Sequence, residues 1–262
     1  FLGRVVERQA RLIANWQLVG FIHGVMNTDN MFISGEGLDY GPCAFMDTYH
    51  PETVFSSIDR EGRYAYGNQP YIGSWNLARL AETLLPLLGE TKEDAVDVAN
   101  KQLTRYTELY KEAYFTGLAH KIGIYVRKDG DDALTDELLR LMMETEADYT
   151  NTFRSLTLGE IDSLPFVTRE DGKAWIDAWQ KRLSEQGLPD EDVSRIMRQY
   201  NPAVIPRNHH VEKAIQAAER GDFGPTEALL TILRDPYNYD QPSEYVSAGP
   251  TRTYPYQTFC GT

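Results

Sequence analysis

Three residues near the start of this 262-residue chain have the clearest capacity for chemistry: Asp29, Asn30 and Asp39. A carboxamide and a carboxylate held side by side offer hard oxygen ligands, and Mg²⁺ takes one or two such ligands plus water and nucleotide phosphate oxygens. Asn30 and Asp39 are therefore the candidate metal ligands, with a nucleotide phosphate reached by Asp39 through the metal. Asp29 is the nearby carboxylate that can accept a proton from an attacking hydroxyl. If Met31-Phe32-Ile33 and Glu36-Gly37-Leu38 pair about a tight turn at Ser34-Gly35, the spacing predicts that Asn30 faces Asp39, with α-carbons about 5 Å apart. A three-residue turn over Gly35-Glu36-Gly37 changes that register only slightly.

The wider stretch His23-Gly24-Val25-Met26-Asn27-Thr28-Asp29-Asn30, followed by Asp39-Tyr40-Gly41, has the order used by protein kinases. These have a loop opening on His, an Asn metal ligand at its end, a short hairpin, and a triplet whose Asp binds the second metal. Val25 occupies the place of the usual catalytic Asp, which argues against a phosphotransferase of the aminoglycoside or small-molecule kinase type and leaves Asp29 as base. His23 reads as a brace for the loop.

The elements around this stretch must position it. Apolar Val5, Val6, Ala10, Leu12, Ile13 and Trp16 recur at helical spacing over 4–18. Residues 42–72, with Pro42, Pro51, Gly62, Gly67 and Pro70, form a long loop of the kind that is usually functional. Trp75, Ala78, Leu80, Ala81, Leu84, Leu85 and Leu88 make a helical stripe read as core. Thr91 and Asp94 cap a helix running towards Ala119, and Thr135 and Thr168 open two more. Beyond Asp235 an extended Pro- and Tyr-rich tail is expected. The resulting division is 1–90, a kinase-like core with catalytic loop, metal-binding hairpin and activation segment; 91–234, a helical remainder and extension; and 235–262, the tail.

Lys and Arg total 26 against 39 Asp and Glu, a formal charge of −13 that disfavours a broad nucleic-acid footprint. No run of eighteen apolar residues offers a membrane span. Only Cys43 and Cys260 are present, too few for a disulfide scaffold, which points to a reducing compartment. The opening Phe1-Leu2-Gly3 has no initiator Met and reads as the start of a fragment.

His23 to Pro42, Ile58-Asp59-Arg60-Glu61-Gly62-Arg63-Tyr64-Ala65-Tyr66-Gly67-Asn68-Gln69-Pro70, and Trp75-Asn76-Leu77-Ala78-Arg79-Leu80-Ala81 together resemble the selenoprotein O family. The match continues more thinly through Asp148-Tyr149-Thr150, Asn201-Pro202, Arg207-Asn208-His209, Gly221-Asp222-Phe223 and Pro236-Tyr237 to Phe259-Cys260-Gly261-Thr262. The resemblance implies a mainly α fold with a small β-hairpin: a protein-kinase-like C-lobe plus a helical C-terminal extension, the N-lobe being absent from this chain. It implies transfer of AMP from ATP to Ser, Thr or Tyr hydroxyls of proteins, with Asp29 as base, Asn30 and Asp39 holding Mg²⁺ (or Mn²⁺), and little activity for this chain alone. It further implies a redox role for Cys260, whose partner in some relatives aligns with Phe55 here, leaving Cys43 as the substitute. Expected location is the bacterial cytoplasm, or the mitochondrion for a eukaryotic member.

Overall fold

The computed structural model describes residues 1–249 and 256–259, and it is mainly helical. It contains ten α-helices among the described residues and a two-stranded sheet of β1 (Phe21–Ile22) and β2 (Ala44–Phe45). No helix among these residues is long and apolar enough to cross a membrane. The chain forms two compact units. The first comprises 1–44, 51–115 and the described part of 257–262; the second comprises 45–50 and the described part of 116–256.

The first unit is built on α1 (Leu2–Leu18) and α2 (Gln69–Leu88). The apolar stripe of α1 buries Val5, Val6, Ala10 and Ile13, and Ile72, Leu77 and Ala81 of α2 are buried with them. The close approach rests on Gly73, where a Cβ would stand 2.2 Å from Ile13 Cδ1 and 2.6 Å from Tyr106 Oη. Tyr106 lies on α3 (Lys92–Lys121), whose start carries the expected cap: the Asp94 N–H donates to Thr91 Oγ1 at 3.1 Å. Of the stripe read as core on α2 only Ala81 is buried: Ala78, Leu80, Leu84, Leu85 and Leu88 are half-buried and Trp75 is 36% exposed, because the buried face runs instead through Ile72, Gly73, Asn76 and Leu77. Trp75 sits on the outer face of α2 among arginine side chains. Thr258 adds a parallel bridge to Ser56, and its hydroxyl donates to the Pro42 carbonyl at 2.6 Å.

The second unit holds α4 (Asp131–Glu144), α5 (Tyr149–Leu158), α6 (Glu170–Ser184), α7 (Asp190–Tyr200), α8 (Asn208–Ala218), α9 (Gly224–Leu233) and α10 (Ser243–Val246). Two expected starts move. Thr135 is inside α4, its hydroxyl turned back onto the Asp132 carbonyl at 2.9 Å, because the acidic first turn at Asp131 and Asp132 begins the helix earlier. Helix α6 starts at Glu170 rather than at Thr168, again with acidic residues against the helix N-terminus. The tail read as extended contains the single helical turn α10. At the centre of this unit Arg207, 1% exposed, donates to Asp47 Oδ1 at 2.7 Å and to Asp148 Oδ2 at 2.6 Å. Asp148 also caps α5 by accepting from the Asn151 N–H.

Candidate metal and nucleotide site

The hairpin after Asn30 forms, with a register one residue away from expectation. Met31 bridges Gly37, the Phe32 N–H donates to the Glu36 carbonyl at 3.0 Å, and the Leu38 N–H donates to the Asn30 carbonyl at 3.0 Å. Asn30 therefore faces Leu38, not Asp39. The cause is the turn, which holds three residues, Ile33-Ser34-Gly35, with Gly35 at φ 82°. A left-handed residue closing a three-residue loop adds one position over the two-residue turn, and glycine takes that conformation without a Cβ clash.

Asp39 follows directly on the residue paired with Asn30, at φ 55°, one of two non-glycine residues with positive φ among those described. Left-handed backbone at such a residue is costly and tends to mark a functional position. Here it turns the chain out of the hairpin, and the Asp39 carboxylate accepts from the Gly41 N–H at 3.4 Å. Asp29 and Asp39 are exposed, while Asn30 is 8% exposed. The Asn30 amide nitrogen donates to the Val25 carbonyl at 2.9 Å. With the nitrogen end of the carboxamide engaged in that bond, its oxygen is the end that could ligate a metal.

His23 braces the loop to the hairpin. It is fully buried, its Nε2 donates to the Leu38 carbonyl at 3.1 Å, and its Nδ1 accepts from the Val25 N–H at 3.4 Å. Both nitrogens are used as a neutral ring uses them, and burial lowers the pKa below the usual imidazole value despite the nearby Asp39 charge. The Tyr40 ring packs 5.2 Å from the His23 ring, and the Tyr40 hydroxyl accepts from the Gly37 N–H at 3.0 Å.

Helix α2 supplies positioning residues that sequence reasoning passed over. Gln69 accepts from the His23 N–H at 3.0 Å and donates to the Phe21 carbonyl at 2.9 Å; Asn76 donates to the Met26 carbonyl at 3.0 Å. They are seven residues apart, two helical turns on one face, so a single helix holds the loop at both ends. The available signal was two carboxamides on the buried face of an otherwise apolar stripe. Tyr64 ties in the long loop, its hydroxyl donating to Asn27 Oδ1 at 2.6 Å. Beside these residues lies a groove of about 340 Å³ between α1 and α2, lined by Val5, Thr28, Met31, Phe32, Ile33 and Leu77 among others.

The donor set suits a hard cation. Among the described residues no three His, Cys, Asp or Glu side chains converge as a self-sufficient protein metal site requires. An ion shared with nucleotide phosphates needs only one or two protein oxygens, which Asn30 and Asp39 offer. Cys43 is half-buried and has no disulfide partner among the described residues, and burial pushes its thiol pKa up, an environment opposite to that of a reactive cysteine. Cys260 lies outside the described residues, so the pairing with Cys43 does too.

Positions 1–234 match the family described as "Protein adenylyltransferase SelO". Along its whole length the chain is 94% identical to a protein nucleotidyltransferase YdiU of an Exiguobacterium species, covering 55% of that protein. It is 55% identical to the protein of the same name from Geobacillus kaustophilus and 51% identical to one from Clostridium botulinum, covering 54% of each. The chain thus spans about half the length of these curated relatives. With a loop, hairpin and helix that bring the densest of the resembling motifs, 23–42, 58–70 and 75–81, into one unit, and a family match over 234 of its 262 residues, the chain belongs to the SelO family of protein adenylyltransferases.

Proposed function

We propose that this chain forms the base- and metal-bearing part of a protein-kinase-like enzyme that transfers AMP from ATP to Ser, Thr or Tyr hydroxyls of proteins. The observation that carries the reading is the braced loop: His23, Gln69 and Asn76 hold a segment on which Asp29 is exposed and Asn30 presents its oxygen one residue from the hairpin end that delivers Asp39. In this reading residues 1–90 are the kinase-like core, 91–234 its helical continuation and 235–262 a tail.

Asn30 and Asp39 hold Mg²⁺, or Mn²⁺ in its place, which when bound supplies positive charge against the α-phosphate and the departing pyrophosphate. Asp29 accepts the proton of the attacking hydroxyl, whose oxygen forms the new bond to the α-phosphorus as the bond to pyrophosphate breaks. Val25 cannot share this role. Its N–H and carbonyl are spent on His23 and Asn30, and its side chain is a hydrocarbon.

The test is label transfer to protein from α-³²P ATP and from γ-³²P ATP by the full-length form with Mg²⁺, beside Asp39→Ala and Asp29→Ala. Transfer of α-label, abolished by Asp39→Ala and reduced at least about a hundredfold by Asp29→Ala, is expected from the usual size of general-base and charge-stabilising contributions. Transfer of γ-label alone would identify a kinase and overturn the reading.

A further inference from the structure

The loop 59–64 and the outer face of α2 build a basic and aromatic surface that the chemistry above does not use. The Arg63 guanidinium lies 4.9 Å from the centre of the Trp75 ring and 5.7 Å from that of Tyr64, and Arg79, one turn along α2, lies 5.2 Å from the same Trp75 ring. Trp75 and both arginines are exposed. A guanidinium attracted to a ring face keeps its N–H donors free at its edge, where they match a carboxylate.

The surface is held in shape. Both Asp59 oxygens accept backbone N–H groups, Oδ1 from Arg63 and Oδ2 from Tyr64, each at 2.8 Å. That carboxylate is therefore taken up by the loop's own backbone rather than by the arginine side chains. Glu82 pairs with Arg79 at 2.7 Å with both partners exposed, an ion pair that competes weakly with a better acceptor. Arg63 has no carboxylate partner among the described residues, in a chain with 13 more acidic than basic side chains. Glu61 is the other carboxylate of this loop. The Tyr64 hydroxyl bond to Asn27 fastens the platform to the loop that carries Asp29, two residues on.

We propose that Arg63, Trp75 and Arg79 form a docking platform for an acidic side chain of the protein substrate, placed beside the hydroxyl to be modified. The inference rests on the adenylyl-transfer reading for its functional meaning. As a binding surface it stands on the geometry alone.

The test reads binding. The 262-residue chain is titrated with a peptide carrying one serine between two pairs of glutamates, and with the same peptide in which glutamines replace the glutamates, while tryptophan emission is followed. A saturable emission change is expected with the glutamate peptide, at least tenfold weaker with the glutamine peptide, in Arg63→Gln and at high salt, and lost as a signal in Trp75→Phe. Arg63→Lys, which keeps the charge and loses the planar fork, is expected to fall between the wild type and Arg63→Gln. Equal binding of the two peptides, or an unchanged midpoint in Arg63→Gln, would overturn the proposal. Acid-selective binding without α-label transfer would retire the nucleotidyl reading and leave the platform standing. Label transfer without acid selectivity would do the reverse.

Discussion

At the scale of single residues, Asp39 combines a poor backbone conformation with a useful side chain. Its φ of 55° costs a non-glycine residue about 1 kcal/mol or somewhat more, and the carboxylate is exposed where a cation and a phosphate can meet it. Asp39→Gly is expected to raise the urea midpoint by the equivalent of about 1 kcal/mol or less, since glycine takes the conformation freely but has more unfolded-state entropy to lose. The same variant is expected to lose metal-dependent transfer in the full-length form. A fall in stability would show that Asp39 is held by contacts rather than strained. The candidate residues Asp29, Asn30 and Asp39 were legible as residue types at a spacing. The one-residue error in their register was not, because Ser34-Gly35 supports both a two-residue and a three-residue turn and only the left-handed Gly35 distinguishes them.

At the scale of elements, α2 is the part on which the site depends. Gln69→Ala removes the partners of the His23 N–H and the Phe21 carbonyl, both buried. Each orphaned group costs about 1–3 kcal/mol, so a loss of roughly 2–6 kcal/mol in chemical denaturation is expected. Gly73→Ala tests the packing beneath it. Alanine improves helix propensity by about 1 kcal/mol, yet its methyl would meet Ile13 and Tyr106 at 2.2 and 2.6 Å, and overpacking of that kind costs about 1–3 kcal/mol. A lowered thermal midpoint is expected. A raised one would mean that α1 and α2 can separate without loss. Helical spacing foretold α1 well because that helix buries one continuous stripe, whereas for α2 it foretold the helix but not the face that is buried, which runs through Ile72, Asn76 and Leu77. It misplaced Trp75, since periodicity says which residues share a face but not whether the edge of that face is covered.

At the scale of the whole molecule, the second unit carries two buried cations with different consequences. Arg207 is matched by Asp47 and Asp148, so Arg207→Met leaves two half-buried carboxylates without their cation and is expected to cost about 3 kcal/mol. Asp148 shows the strength of that burial, its pKa remaining above the usual carboxylate value although it pairs with Arg207. Lys121 has no carboxylate beside it among the described residues. Its ammonium lies 4.1 Å from the Phe153 ring centre and 3.5 Å from the Tyr200 carbonyl, contacts that favour the charge, yet burial outweighs them and lowers its pKa to about 7. The unfolded chain then binds one more proton than the folded chain between about pH 7 and the ordinary lysine value of 10.5, so this residue makes stability rise with pH across that window. Between pH 7 and 9 the wild type is expected to gain about 2 kcal/mol relative to Lys121→Met, measured by urea denaturation. Parallel pH profiles would place the Lys121 pKa near its ordinary value.

The sequence by itself determined the chemistry on offer: hard oxygen ligands and a base within seventeen residues of His23, helices before and after them, and motifs dense enough to place the chain in its family. These are local properties, set by side-chain type, spacing and periodicity. Only the tertiary structure decided that Asn30 faces Leu38, that the His23 brace runs from the Val25 N–H to the Leu38 carbonyl, that Gln69 and Asn76 of a later helix hold the loop, and that Trp75 lies outside between two arginines. Each of these depends on which buried donor meets which acceptor across a long stretch of chain. The free energy that settles it belongs to the packed pair, and neither residue carries it alone.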